Sequence, residues 1–304
     1  MKYQELYRWG FQCLEQAGIE ESSLDARILL ESVCNTDRNT LLAHGDREVE
    51  AKQEEMYRGW IDQRAKHIPV QHLTGEQEFM GLVFRVSANV LIPRQDTEIL
   101  VEEAMRELHD GMRILDMCTG SGCILLSLLH YSNHCTGTGA DISQKALEIA
   151  KNNAASLSLE AEFLESDLFT GLDMGMKFDM LVSNPPYIPS AVIPGLMEEV
   201  REHEPLCALD GKEDGLYFYR RISSEAKPFL FRGSFVFLEI GYDQGQAVTR
   251  ILSEAGYQEI EVIKDFAGHD RVVKGIYMPR QDFVKWVKML KNKGFWGYGE
   301  SFHL

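Results

Sequence analysis

From Arg113 onward the chain alternates short apolar runs with amphipathic stretches of helical period, and that alternation leaves few folds open. The apolar runs fall at 113–117, 136–141, 161–165, 178–183, 234–240, 258–264 and 271–278. Helical stretches fall near 122–131, 144–156, 214–228 and 244–255, with Ser143 and Asp243 placed to cap two of them. Near-continuous apolar strands separated by helices belong to a parallel sheet covered on both faces. The last two runs have no helix between them, so they should pair antiparallel. The spacing predicts an α/β fold, a doubly wound sheet of seven strands.

The front of the chain reads differently. Residues 1–75 carry only helical periodicity: Leu6, Trp9, Cys13, Leu14 and Ala17 before a stop at Gly18, then Leu24, Ile28, Leu29 and Val33 behind a possible Ser22/Asp25 capping box. A charged helix follows over roughly 49–66, with Met56 and Trp60 one turn apart and Pro69 beyond its end. His44, His67 and His72 of this helical region read as surface or structural residues rather than as ligands. Residues 77–86 predict a β-hairpin turning near Gly81, within a linker at 76–92. Asp96 or Thr97 could cap the next helix. The expected organisation is a helical domain at 1–75, the hairpin linker, a catalytic domain at 93–280 and an aromatic, basic tail at 281–304 without an assigned role.

Chemistry concentrates where strands end. The run 178–183 is followed by Asn184-Pro185-Pro186-Tyr187. Proline fixes φ and lacks an N–H, and it pushes the residue before it into an extended conformation. Such a stiff segment can aim the Asn184 side-chain carbonyl and the Pro185 backbone carbonyl at one point. Two acceptors converging there suit a planar NH2 group, and Tyr187 offers a face to stack on its bearer. Upstream, Asp116-Met117-Cys118-Thr119-Gly120-Ser121-Gly122 is a strand running into a tight turn and a helix, a place where glycines let backbone approach a ligand. Asp141 ends the next strand, about 20 residues on, where an acid can accept a ribose's hydroxyls. Asp167 follows the third, with Leu168 or Phe169 able to pack on an adenine ring. The turn and Asp141 alone fit either a dinucleotide or S-adenosylmethionine.

Bulk properties narrow the partners. A formal charge of −16 disfavours a protein that wraps a phosphate backbone and favours a cationic protein partner. The six cysteines form no close pair, so neither a disulfide framework nor a zinc site is expected, and no metal is. No signal-peptide core or membrane-length apolar run is evident, which points to a reducing cytoplasm.

Several motifs together carry a resemblance. Besides the glycine turn and Asn184-Pro185-Pro186-Tyr187-Ile188, they are Leu73-Thr74-Gly75-Glu76-Gln77-Glu78-Phe79, Leu91-Ile92-Pro93-Arg94 with Thr97-Glu98, Glu204-Pro205, Asp214-Gly215-Leu216, Leu238-Glu239-Ile240-Gly241 and Ala267-Gly268-His269-Asp270-Arg271. The chain resembles the class I S-adenosylmethionine-dependent methyltransferases, and within them the HemK/PrmC family of release factor glutamine methyltransferases. The resemblance implies a Rossmann-like seven-stranded sheet and methylation of the glutamine side-chain amide in the Gly-Gly-Gln loop of release factors 1 and 2. It implies S-adenosylmethionine held by Asp116, Cys118, Thr119, Gly120, Ser121, Gly122, Asp141, Asp167, Leu168 and Asn184. It implies a substrate amide held by Asn184, Pro185, Pro186 and Tyr187, with Asn184, Pro185 and Tyr187 catalytic. Nothing in the sequence suggests an obligate assembly, so a monomer is expected, and the acidic charge speaks against a nucleic-acid substrate. Two positions depart from the family pattern: Cys118 stands where glycine is usual, and Gln95 where proline is. The tetrapeptide alone also suits a nucleic-acid methyltransferase acting on an exocyclic amine of adenine or guanine, with Tyr187 stacking on a flipped base.

Overall fold

The computed structural model describes residues 1–279, so the 281–304 tail lies outside the described residues. Two compact units emerge: Met1–Pro93 together with Ala191–Asp210, and Arg94–Ser190 together with the chain from Gly211 onward.

In the first unit, helices Tyr3–Gln16, Ser22–Cys34 and Ala51–Arg64 enclose Leu6, Leu14, Leu29, Leu30, Tyr57 and Ile61. The buried stripe of the third helix is Tyr57 and Ile61, one residue on from the Met56/Trp60 pair that periodicity suggests, and Met56 is exposed. The Tyr57 hydroxyl donates to the Ala26 carbonyl at 3.0 Å. Asp25 is not part of a capping box: Glu21 holds the N-cap position, and the buried Asp25 carboxylate accepts from Arg64 at 2.7 Å. Arg64 reaches a second acid, Glu199, from the 191–210 segment. A hairpin follows as expected, β1 (Glu76–Phe79) against β2 (Leu82–Arg85), closed by Met80 and Gly81 at φ 52° and 70°. Two central residues at positive φ match the twist that short hairpins favour.

The second unit holds β3 (Arg113–Met117), β4 (Thr136–Asp141), β5 (Glu162–Glu165), β6 (Phe178–Ser183), β7 (Leu230–Glu239), β8 (Tyr257–Lys264) and β9 (Asp270–Tyr277). They form one seven-stranded sheet in the order β5-β4-β3-β6-β7-β9-β8. Strands β3 to β7 run parallel, and β9 is antiparallel to both of its neighbours. This is the Rossmann-like methyltransferase sheet that the sequence leads one to expect. Helix Cys123–His130 is buried from Cys123 through Leu129 and covers the middle of the sheet, whereas Gln144–Ser156 buries one stripe. Ser143 caps the latter, accepting from the Ala146 N–H at 3.2 Å. Asp243 does not cap Gly245–Ala255: Gln244 takes that position and folds its amide back onto the Gly241 N–H. The predicted helix at 214–228 is Tyr217–Glu225 followed by a 3-10 turn, Lys227–Phe229, where Pro228 breaks the α-helical pattern.

The register positions the site. Met117 pairs with Ala140 and with Ser183, and Ser183 pairs with Leu238. One step further along each strand, Cys118, Asp141, Asn184 and Glu239 therefore stand in a single rank. Strand order reverses between β3 and β6, so this rank lies at the topological switch point, where open α/β sheets bind ligands.

Candidate active site

The turn after β3 passes through three left-handed residues, Cys118 at φ 62°, Gly120 at 55° and Gly122 at 80°. Side chains rarely adopt this region, so Cys118 holds strain that glycine would not. A Cβ on Gly120 would meet nothing within 4 Å, so this glycine serves conformation and leaves its backbone open above. A Cβ on Gly122 would sit 3.2 Å from the Ala150 Cβ, so here the glycine lets the following helix pack closely. The Thr119 N–H donates to the Ala140 carbonyl at 3.1 Å, and Asn153 Nδ2 donates to the Ser121 carbonyl at 2.9 Å.

Carboxylates lie under and beside this turn. Asp116 is fully buried; one oxygen accepts from the Thr119 hydroxyl at 2.6 Å and the other has no hydrogen-bond partner among the described residues. Burial outweighs the Thr119 bond and pushes its carboxyl up to about 7. Asp141 accepts from the Gly120 and Ser143 N–H groups, each at 2.9 Å, with burial again raising its pKa against these bonds. A carboxylate has about four acceptor positions, so Asp141 keeps capacity for hydroxyls. No lysine or arginine occurs between Asp116 and Gln144. A pyrophosphate would meet carboxylates without a counter-ion here, whereas a cationic ligand such as a sulfonium fits the charge.

Asp167 forms an ion pair with Arg221 at 2.7 Å and is exposed. Leu168, at φ 50°, is buried beside it. Phe169 does not face a ligand: its ring stacks on Phe229 at 5.4 Å inside the core.

At the end of β6, Asn184 Nδ2 donates to the Thr97 hydroxyl at 3.4 Å. Thr97 is therefore no helix cap, and neither is Asp96: helix Gln95–Glu107 begins after Arg94 without a side-chain cap bond, while Thr97 is buried. The segment beyond Asn184 is backed by glycines. The Gly211 N–H donates to the Ile188 carbonyl at 2.8 Å, and Gln244 Nε2 donates to the Tyr187 carbonyl at 3.0 Å. Tyr187 is half-buried, and burial raises its hydroxyl's pKa.

The sequence assigns Glu239 no role, yet it ends β7 beside Asn184 and is 3 % exposed, with Thr97 and Asn184 both opposing the rise that burial gives its carboxyl's pKa. An acid terminating a strand as apolar as 235–238 is the signal that marks it.

Two family models match the chain, the PrmC N-terminal domain over residues 5–75 and the methyltransferase small domain over 94–197. Release factor glutamine methyltransferase of Caulobacter vibrioides is 42% identical over 88% of this chain and 93% of its own length. That of Clostridium acetobutylicum is 41% identical over 91% of this chain and 99% of its own. The chain belongs to the release factor glutamine methyltransferase family. A release factor-specific protein-(glutamine-N5) methyltransferase of Alicyclobacillus acidocaldarius, known as a crystal structure, is 32% identical, covers 64% of this chain and 100% of its own, and superposes with a TM-score of 0.40. Within the family's sheet, the rank Cys118, Asp141, Asn184, Glu239 lines up at the strand ends, with Glu239 buried and the other three partly exposed.

Proposed function

We propose that this protein transfers a methyl group from S-adenosylmethionine to the side-chain amide nitrogen of the glutamine in the Gly-Gly-Gln loop of release factors 1 and 2. The observation that carries this reading is the rigid Asn184-Pro185 segment at the switch point, its Asn184 amide nitrogen turned inward to Thr97. The relatives are named for this activity. The nucleic-acid reading shares the tetrapeptide, but the named relatives do not favour it.

Bound S-adenosylmethionine supplies an electrophilic methyl on a sulfonium. Asp141 would hold its ribose, the 118–122 turn would lie against it, and Asp167 with Leu168 would border the adenine. An amide nitrogen is a weak nucleophile because its lone pair is delocalised, so the protein's task is placement. Asn184 Oδ1 and the Pro185 carbonyl accept the two amide hydrogens and fix the nitrogen's direction, while Pro186 stiffens the segment and Tyr187 packs on the side chain. Placement of this kind can supply about 7–11 kcal/mol. The helical domain, residues 1–75, would hold the body of the release factor. All six cysteines are free thiols, which supports a reducing cytoplasm as the working compartment; we take the working form to be a monomer.

The test is transfer of labelled methyl to a release factor, to one whose loop Gln is replaced by Ala, and to nucleic acid. Label on the first alone is expected; label on nucleic acid would overturn the reading. Asn184→Ala should lower turnover by orders of magnitude and keep cofactor binding, and Asp141→Ala should weaken that binding in calorimetry.

A further inference from the structure

We propose that Glu239 and Thr97 are positioning residues that dictate which end of the Asn184 amide faces the substrate. The inference rests on the role just given to Asn184 and adds what holds that residue in its working orientation.

Asn184 and Glu239 are neighbours across β6 and β7, each one residue past the Ser183–Leu238 pair. The Glu239 backbone is pinned, its carbonyl accepting from the Tyr219 hydroxyl at 2.9 Å. Its carboxylate is buried next to Thr97 and Asn184, which both oppose the rise that burial gives its pKa, and Oε2 is buried without a partner among the described residues. The Asn184 nitrogen has two hydrogens. One goes to Thr97 Oγ1 at 3.4 Å, and in the proposed arrangement the other is directed at Glu239, the neighbour across the strand pair. In the proposed arrangement the Thr97 oxygen, accepting from the amide, directs its own hydrogen to the carboxylate. Both amide hydrogens are thus consumed on the protein side, and Oδ1 is the end left for a ligand.

A half-turn of the amide would set Oδ1 against a carboxylate oxygen. Two acceptors would then face each other in a buried place, at the cost of a lost hydrogen bond on each. The same half-turn would present an NH2 to the substrate NH2, two donors with no acceptor between them. An ionised Glu239 therefore selects the productive orientation. A protonated Glu239 can donate to Oδ1 and stabilise the reversed one.

The surroundings place this change within reach of ordinary pH. Burial dominates and lifts the Glu239 carboxyl to about 7, with Asp96 adding to the rise and Thr97, Arg271 and Asn184 opposing it. Arg271 is itself shared between Asp96 at 3.0 Å and Asp265 at 2.9 Å. Tyr187, Tyr219 and Cys123 also face Glu239 electrostatically, and burial keeps all three in their neutral forms at ordinary pH. Glu239 is then the group in this cluster whose charge changes near neutrality as the cross-strand neighbour of Asn184.

The experiment measures kcat and KM for methyl transfer to the intact release factor from pH 5.5 to 8.5, with S-adenosylmethionine affinity measured separately by calorimetry. Wild type should gain turnover as pH rises towards and through about 7. Glu239→Ala and Thr97→Val should lower kcat about 10- to 100-fold, the range for a lost hydrogen bond to a charged group, with the effect on KM small. Thr97→Ser, which keeps the hydroxyl, should recover most of the loss seen in Thr97→Val. Glu239→Gln keeps an acceptor without a titrating proton and should lose the low-pH limb. A Glu239→Ala kcat equal to wild type, beside an Asn184→Ala that is inactive, overturns the positioning role and leaves the Asn184 reading standing. Wild-type turnover in Asn184→Ala overturns both. A low-pH limb unchanged in Glu239→Gln overturns the selection by charge. If Glu239→Ala no longer binds the cofactor, the Thr97→Val and Thr97→Ser pair decides: equal kcat in the two overturns the proposal, and a tenfold gap supports it.

Discussion

Gly211 offers a way to displace the Asn184–Tyr187 segment without touching any polar group. A Cβ built on it would lie 2.7 Å from the Tyr187 carbonyl carbon and 2.8 Å from the Cα atoms of both Tyr187 and Gly215. All three are backbone atoms, so no side chain can swing away. Restoring an ordinary contact of 3.4 Å from 2.7 Å requires about 0.7 Å of movement, and the Gly211–Ile188 hydrogen bond hands that movement to the segment beyond Asn184. A misplacement near 1 Å can cost about 100-fold in rate, so Gly211→Ala should lower kcat by about 10- to 100-fold. Inserting a methyl into a packed site also costs about 1–3 kcal/mol of stability, a fall in Tm of several degrees for a unit of this size. Cofactor affinity should stay near wild type, because the 118–122 turn and Asp141 do not touch Gly211. Methyl transfer to a release factor under saturating cofactor, with calorimetry as control, reads both quantities. A Gly211→Ala enzyme with kcat within twofold of wild type would show that the segment tolerates this displacement, and the positioning argument would fail.

Three further outcomes follow from the packing. Arg64→Ala leaves the buried Asp25 carboxylate without its cation and should cost about 3–5 kcal/mol in chemical unfolding of the first unit; a loss under 1 kcal/mol would refute the pairing. Cys118→Val puts a β-branched side chain at φ 62° and should be about 1–2 kcal/mol less stable than Cys118→Gly, read from paired thermal melts. Burial holds the Asp116 carboxyl at about 7, so the folded protein keeps a proton that the unfolded chain releases near pH 4. The stability this gives is present below about pH 4 and is lost as pH rises to about 7. Asp116→Asn should therefore raise the apo-protein Tm at pH 8, where the difference is at most about 4 kcal/mol, and the gain should shrink towards pH 4; equal gains at both pH values would refute it.

Legibility in the sequence followed how local each determinant was. Strands β3, β4 and β6 coincide with the apolar runs at 113–117, 136–141 and 178–183, because polar residues, glycine or proline bound each run. The start of β7 was hidden: it begins at Leu230, but Arg232, Gly233 and Ser234 interrupt the apolar pattern. There the register shifts, Gly233 takes φ 87°, and the Ser234 hydroxyl donates to the Phe178 carbonyl at 2.7 Å. Short polar residues misled in a consistent way. Asp25, Thr97 and Asp243 all stand near helix starts, where a cap is the local expectation, but Asp25 and Thr97 are bound by partners far away in sequence. The rank of strand-end residues could be anticipated from the topology alone. The part played by Glu239 could not, since it depends on β6 and β7 pairing in one register.

The first unit is assembled from two pieces of chain, Met1–Pro93 and Ala191–Asp210, and Arg64 on one piece is bonded to Glu199 on the other. On the ribosome the second piece emerges roughly 100 residues after the first is complete, a delay of about 5–20 s at usual elongation rates. During that interval the nascent helices have Asp25 but not Glu199 to meet Arg64, so they wait in an unfinished form while the sheet's first strands are being made. The same threading limits how such a protein can be recombined: grafting its helical front onto another methyltransferase would transplant one piece of the unit and leave the other behind.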